Sequence, residues 1–332
     1  SKPVSDFVTG LPRDTHLLLL ADGVAGDEVE ALVISLVLGA RWTQLPHEDA
    51  DRGYVPGILD LLAGDPAATA DPSGRARLIG PLVLARESGA FCDLPPWATQ
   101  AFLLDVEPHR SEIAAPSGNH GELVDAFGEH HPVGIERQVL DVANACARRL
   151  AGALYLVTDA PKADGATAGS ATGTVLVPDP ISAVDLAVHA PTWLEPEALE
   201  HVLEPVLPGL RVQAGFDASQ VLDGYGTSWP LDDAGELLML EVEAAEILPP
   251  AVRFAPWATG GVISYWLRWH PADGDREPAT RGGRRRRDSA REAIERAAAA
   301  LHAAVGGEIL DEDGFLVDLS LEEPGGDGPG AD

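Results

Sequence analysis

The tetrapeptide Pro-Trp-Ala-Thr occurs twice in the chain, as 96-PWAT-99 and again as 256-PWAT-259. The two copies lie 160 positions apart. At that spacing nearby apolar residues also coincide, since Leu82 aligns with Val242 and Phe102 aligns with Val262. The repeated motif therefore predicts a relationship between whole segments of the chain.

Two further matches extend this relationship in both directions. Upstream, Val29 aligns with Leu199, and the apolar helical stripe that follows repeats at a shift of 170. Downstream, Val139 aligns with Ile294 at a shift of 155. Because the shift changes only across loops, the sequence predicts a tandem duplication of one folded segment.

Each copy has the same predicted order of elements. An apolar run, 16-HLLLLAD-22 or 184-VDLAVHA-190, gives the first strand and is followed by a helix and a strand. A variable segment, two strands beside PWAT, a long helix and a last strand complete the copy. This order is the βαββαβ arrangement of ferredoxin-like domains with one extra strand. We therefore predict an α+β protein whose antiparallel sheets carry helices on one face.

Four segments follow from this interpretation. The first α+β repeat spans residues 1–160, and the second spans residues 181–320. Residues 161–180, which begin with PKADGATAGSATG, have the composition of a flexible Gly/Ala-rich linker. Residues 321–332 are expected to form a disordered acidic tail.

The charge of the chain limits its partners. Among 332 residues, 53 acidic side chains oppose 23 basic ones, and the formal net charge is −30 at pH 7. Such a field repels phosphate backbones and anionic lipids, so we expect no nucleic-acid and no membrane binding. It favours a basic protein as the partner. Cys92 and Cys146 form no zinc-ligand spacing or disulfide framework, and we expect a soluble cytoplasmic protein.

A candidate binding site lies on the strand after the second PWAT. After the first PWAT, Phe102, Leu104 and Val106 alternate with more polar residues, so they are predicted to lie under the helices. Transferred by 160 positions, this assignment places Trp266 under the helices and an aromatic set on the open face. The predicted partner or ligand site contains Tyr265, Leu267, Trp269, Arg268 and His270. The alternative is that the first copy or a second chain packs there.

The segment 109–131 is rich in histidine and carboxylate side chains. We name His120, Glu122, His130 and His131 as candidate ligands of zinc or a similar divalent ion. The alternative is an ordinary polar surface loop. Its counterpart in the second copy, Arg281–Arg287, is predicted to be an arginine-rich loop ahead of a helix. That loop either clamps a phosphate or carboxylate or relieves local negative charge.

The function favoured by the sequence is that of a non-catalytic binding protein of the regulator or inhibitor type. It would use a cleft between the repeats or its acidic surface to bind a basic protein or a small ligand, as a monomer or homodimer, without a cofactor. The alternative is a metal-dependent enzyme that uses the segment 109–131 and zinc.

Overall fold

The computed structural model describes residues 15–50, 53–62, 76–84, 94–111, 122–127, 130–158, 173–212, 224–232, 235–274, 276 and 280–319. The chain divides into two compact units, Ser1–Ser182 (unit 1) and Ala183–Asp332 (unit 2). Both units combine antiparallel sheets with few helices, which confirms the predicted α+β class.

Unit 1 is built on antiparallel strands. They are β1 (His16–Ala21), β2 (Arg41–Gln44), β3 (His47–Asp49), β4 (Gly53–Val55), β5 (Gly57–Asp60), β6 (Ala76–Val83), β7 (Ala98–Val106), β8 (Ala153–Val157) and β9 (Gly173–Leu176). Seven of them form one sheet in the order β2-β5-β6-β7-β1-β8-β9, while β3 and β4 pair separately. The first strand, β1, thus lies between β7 and β8.

The helices of unit 1 cover one face of this sheet. They are α1 (Gly26–Leu36), α2 (Glu122–Phe127) and α3 (Gly134–Arg149). The α3 helix contacts β1, β6, β7 and β8, and both α1 and α2 pack against α3. Its apolar stripe includes Val139, Ala143 and Cys146, which are buried together with Phe102 and Leu104 of β7. The sequence therefore assigned the faces of β7 correctly.

Unit 2 contains a five-stranded antiparallel sheet. Its strands are β10 (Leu186–Ala190), β11 (Tyr225–Pro230), β12 (Leu237–Ala244), β13 (Ile263–His270) and β14 (Glu308–Asp311), in the order β11-β12-β13-β10-β14. The helices are α4 (Pro196–Leu203) and α5 (Arg281–Val305), with a short 3-10 helix at Pro256–Gly260. The α5 helix packs on β10, β13 and β14, and α4 packs on α5.

A glycine lies against the first strand in each unit. A Cβ atom added to Gly152 would lie 2.6 Å from the carbonyl oxygen of Leu19. A Cβ atom added to Gly307 would overlap the carbonyl group of His189. In each unit a glycine after the long helix therefore allows close approach to the first strand, at Leu19 in unit 1 and at His189 in unit 2. These two residues lie 170 positions apart, the same shift as that found upstream in the sequence.

The correspondence between β7 and β13 differs from the sequence prediction. Phe102 lies opposite Leu18, and Tyr265 lies opposite Val188. Since Leu18 and Val188 are themselves 170 positions apart, Phe102 corresponds to Tyr265 at a shift of 163. Three extra residues precede β13 because the second PWAT forms the 3-10 helix, whereas the first leads directly into β7.

The observed shift of 163 differs from the predicted shift of 160 by three, an odd number. Because side chains alternate between the two faces of a strand, each residue of β13 lies on the face opposite to the predicted one. The predicted open-face residues Tyr265, Leu267 and Trp269 lie instead in the core under the helices. They are buried there with residues of α4, α5 and the neighbouring strands, among them Val188, Leu199, Leu240, Ile294 and Leu301. The prediction that these three residues lie on the open face of the sheet, away from the helices, is wrong.

Part of the predicted linker belongs to the sheet of unit 1. The strand β9 lies within residues 161–180 and pairs with β8, where Leu176 is opposite Leu154. Leu176 also packs against the main core of unit 1, so it gains a burial that a flexible linker does not offer. Residues 159–172 and the predicted tail at 321–332 lie outside the described residues.

The predicted arginine-rich loop, Arg281–Arg287, is instead the beginning of α5. Thr280 caps the helix, since its Oγ1 accepts a 3.0 Å hydrogen bond from the backbone N–H of Gly283. Arg286 donates from Nε to Glu236 and from Nη2 to Asp273, while Arg287 is buried. The prediction of a loop is wrong because arginine is a good helix former and Thr280 supplies the missing start signal.

Candidate functional site

The residues predicted to form one binding face are divided between two faces of β13. Tyr265 and Trp269 are held inside the core by hydrogen bonds, with the Tyr265 hydroxyl donating to the carbonyl of Thr192 at 2.8 Å. Arg268 and His270 lie on the opposite face, because they alternate with the buried residues. The predicted set therefore does not form a single surface.

The face of the unit 2 sheet opposite α5 carries a different group of side chains. On β12, Glu241 and Glu243 alternate with core residues, and both are exposed. On β13, Trp266 lies directly opposite Glu241, and Arg268 follows on the same face. We call these four residues, Glu241, Glu243, Trp266 and Arg268, the Trp266 face.

Contacts on the Trp266 face hold the indole ring in place. Its Nε1 donates a 2.9 Å hydrogen bond to Glu243 Oε1. The guanidinium carbon of Arg268 lies 4.8 Å from the ring centroid, and Arg268 Nη1 donates to Glu241 Oε2. An aromatic ring beside carboxylates is an arrangement that binds cationic groups, guanidinium above all. Sequence reasoning missed Trp266 because the transferred register placed it in the core.

A buried serine–histidine pair lies beside Trp266. Ser264 Oγ and His189 Nδ1 are 3.0 Å apart, and the His189 ring meets the Trp266 ring edge-on at 5.7 Å between centroids. Burial lowers the pKa of His189 to about 4. A nucleophile and a base at this distance are the parts of a covalent catalytic site, but His189 and Ser264 are only 1% and 2% exposed. Their position supports a structural role.

Unit 1 contains a buried polar cluster that the sequence did not reveal. Glu136, in the first turn of α3, is fully buried and accepts hydrogen bonds from the His109 backbone N–H at 2.7 Å and from His16 Nε2 at 3.0 Å. Arg110 Nη2 lies 2.9 Å from the same carboxylate. Because the Val157 backbone N–H donates to His16 Nδ1, the imidazole proton lies on Nε2.

Burial and two neighbouring side chains determine the pKa and the position of the Arg110 guanidinium. Burial lowers the pKa of Arg110, and the nearby Glu136 carboxylate opposes this change. The guanidinium also stacks over Phe127 of α2, with 4.2 Å from its carbon to the ring centroid. The cluster therefore fastens α2 and α3 to the ends of β1 and β8. We assign it to the stability of unit 1.

The structure leaves the predicted metal site untested. His120 lies outside the described residues, and so does the side chain of Glu122 at the start of α2. His130 is exposed, with its Nδ1 3.3 Å from the Ser111 carbonyl oxygen, and His131 is half-buried. Among the described side chains, no group of three or more His, Cys, Asp or Glu residues is placed to hold a metal ion. The zinc site stays a prediction.

Within the ranges that the structure describes, no helix has both the length and the apolar composition needed to cross a bilayer. Comparison with protein-family models, with curated proteins and with solved structures gives no significant match to this chain.

Proposed function

We propose that this chain is a non-catalytic interaction protein whose Trp266 face binds an arginine-bearing or lysine-bearing segment of a partner protein. One observation carries the proposal: the guanidinium of Arg268 already lies over Trp266 and pairs with Glu241. The face therefore has the geometry to receive such a group, as cation–π contact and carboxylate pairing require.

The charge of the face supports a basic partner. The charge of Glu241 is matched by Arg268, whereas Glu243 accepts from an uncharged indole N–H. A carboxylate whose hydrogen bond comes from a neutral donor keeps its full charge, so Glu243 attracts a further cation. The net charge of −30 adds a long-range field of the same sign, which raises the rate of encounter with basic partners.

We also propose that the two units arose by duplication of a ferredoxin-like segment. The orders β6-β7-β1-β8 and β12-β13-β10-β14 support this, since both place the first strand between the strands before and after the long helix. The paired glycines Gly152 and Gly307 give further support. In this scheme β11 is the extra strand of unit 2, and the cleft between the repeats stays a prediction.

The test uses a short synthetic peptide with several arginines separated by glycine and serine. A matched peptide has citrulline in place of every arginine, which removes the charge and keeps the shape. Calorimetric titration of the full chain should detect the arginine peptide and not the citrulline peptide, with an affinity that falls as salt rises. Equal binding of both peptides, or of neither, would exclude cation recognition.

A further inference from the structure

The connection between β12 and β13, residues 245–262, is a hydrogen-bonded surface segment that we call the β12–β13 loop. Successive backbone hydrogen bonds shape it, from Val252 N to the Pro249 carbonyl at 3.1 Å and from Ala255 N to the Val252 carbonyl at 3.0 Å. Val252, within the loop, is fully buried. The outward side chains of the loop are therefore presented in a fixed arrangement.

Two large apolar side chains project from this loop. Ile247 is 87% exposed and Phe254 is 79% exposed, the highest values for large apolar residues in the described part of the chain. A single exposed apolar residue is common on protein surfaces. Two of them in one loop, seven positions apart, are typical of a surface that another molecule covers.

Each apolar side chain has a charged neighbour of a different sign. Glu246 precedes Ile247, and Arg253 precedes Phe254; both charged residues are exposed. Neither forms an ion pair with another described residue. The loop thus carries a carboxylate beside an aliphatic group and a guanidinium beside an aromatic ring.

We propose that two copies of this chain associate through their β12–β13 loops. In a two-fold contact, residue i of one copy meets residue j of the other, and j meets i in return. Glu246 would then pair with Arg253 of the second copy, while Ile247 packs against Phe254. Each of these contacts forms twice.

The charge pattern favours a second copy over other occupants. A strongly basic partner would match Glu246 and repel Arg253, and an acidic partner would do the reverse. The loop is its own complement in both charge and apolar character. A loop of this length covers less than the roughly 800 Å² per partner of a typical stable interface, so we expect weak association, micromolar or weaker.

Salt dependence separates this contact from binding of a basic partner. Two copies, each with a net charge of −30, repel one another at a distance, and salt screens that repulsion. The close Glu246–Arg253 pairs are screened less because apolar side chains surround them. Self-association should therefore become tighter as salt rises from low to moderate concentration, whereas basic peptides should bind less tightly.

Sedimentation of the full chain over a range of concentrations, in moderate salt, tests the proposal. The wild-type chain should show a concentration-dependent dimer. Glu246→Arg and Arg253→Glu should each weaken it at least about tenfold, because each places like charges together. An equimolar mixture of these two variants should associate again, since every pair across the contact is then of opposite charge. Phe254→Ser should abolish the dimer without moving the urea midpoint of unfolding.

The mixture is the decisive arm, because misfolded variants would not rescue one another. The proposal is overturned if the wild-type chain stays monomeric at the highest concentration. It is also overturned if the single variants associate as the wild-type chain does, or if their mixture stays monomeric.

Discussion

The indole Nε1 of Trp269 donates a 2.6 Å hydrogen bond to Glu236 Oε2, although both residues are almost completely buried. The other oxygen of Glu236 accepts from Arg286 Nε at 2.7 Å. This carboxylate therefore joins β13 to the first turns of α5. The contact explains how the arginine-rich start of α5 is held against an apolar core.

Replacing Glu236 should destabilise unit 2. Glu236→Ala leaves the Trp269 N–H buried without its acceptor and removes one partner of Arg286, so we expect a loss of about 2–4 kcal/mol. Urea unfolding measures it. The control is Glu292→Gln, which changes an exposed carboxylate of α5 and should leave the free energy of unfolding nearly unchanged. Equal stability of the two variants would contradict the assignment.

The Glu136 cluster makes a similar prediction for unit 1. Glu136→Ala removes the acceptor of His16, of Arg110 and of the His109 backbone, and should cost about 3–5 kcal/mol. Asp141→Ala removes the exposed pair with Arg137 on the same helix and should cost less than about 1 kcal/mol. Denaturant unfolding of both variants tests the contrast. Similar decreases in the free energy of unfolding for the two variants would show that the buried Glu136 cluster contributes no more to stability than an exposed ion pair.

His189 should make stability depend on pH. Its folded-state pKa of about 4 lies below the unfolded value of about 6.5, so the unfolded chain binds a proton that the folded chain excludes. The free energy of unfolding is therefore not reduced by His189 above about pH 6.5. As pH falls toward 4, protonation of His189 in the unfolded chain lowers the free energy of unfolding by up to about 3 kcal/mol.

The matched comparison is His189→Gln, which does not titrate. Unfolding free energies measured at about pH 7.5 and about pH 5 should differ more for the wild-type chain than for this variant. Identical pH dependence in the two proteins would mean that His189 keeps an ordinary pKa in the folded state.

Several features could be read from the sequence because their signals are local. The apolar runs at 16–22 and 184–190 contain β1 and β10, and the stripe through Val139 and Cys146 is the buried side of α3. The faces of β13 were predicted wrongly because the register of β7 was transferred to it at a shift of 160. The alternation within β13 itself, apolar at Ile263, Tyr265, Leu267 and Trp269, was the better signal.

Other features leave no local trace. His16 and Glu136 meet across 120 positions of sequence, and nothing near either residue indicates the other. The start of α5 did have a signal, because Thr280 is a good N-cap residue ahead of a long helical pattern. The run of arginines concealed it, since charged runs are usually solvated loops.

Arg268 should compete with any cation that binds the Trp266 face, since its own guanidinium lies over the ring. Arg268→Ala frees Trp266 and Glu241 and removes a positive charge, so we expect tighter binding of the arginine peptide, by about threefold or more. Calorimetry on this variant measures it. Weaker binding would mean that Arg268 contacts the peptide itself, and does not occupy the position that a guanidinium of the peptide would take over Trp266.

The dissociation constant of the arginine peptide, measured for three matched variants, tests the central claim most directly. Trp266→Leu should weaken binding about fivefold or more through loss of the cation–π contact, and Glu243→Gln should weaken it about threefold. Glu292→Gln removes the same charge from α5, on the other side of the sheet, and should change binding by less than about 1.5-fold. If Trp266→Leu binds as the wild-type chain does and Glu243→Gln binds as Glu292→Gln does, the peptide responds only to net charge, and the Trp266 face is not the binding site.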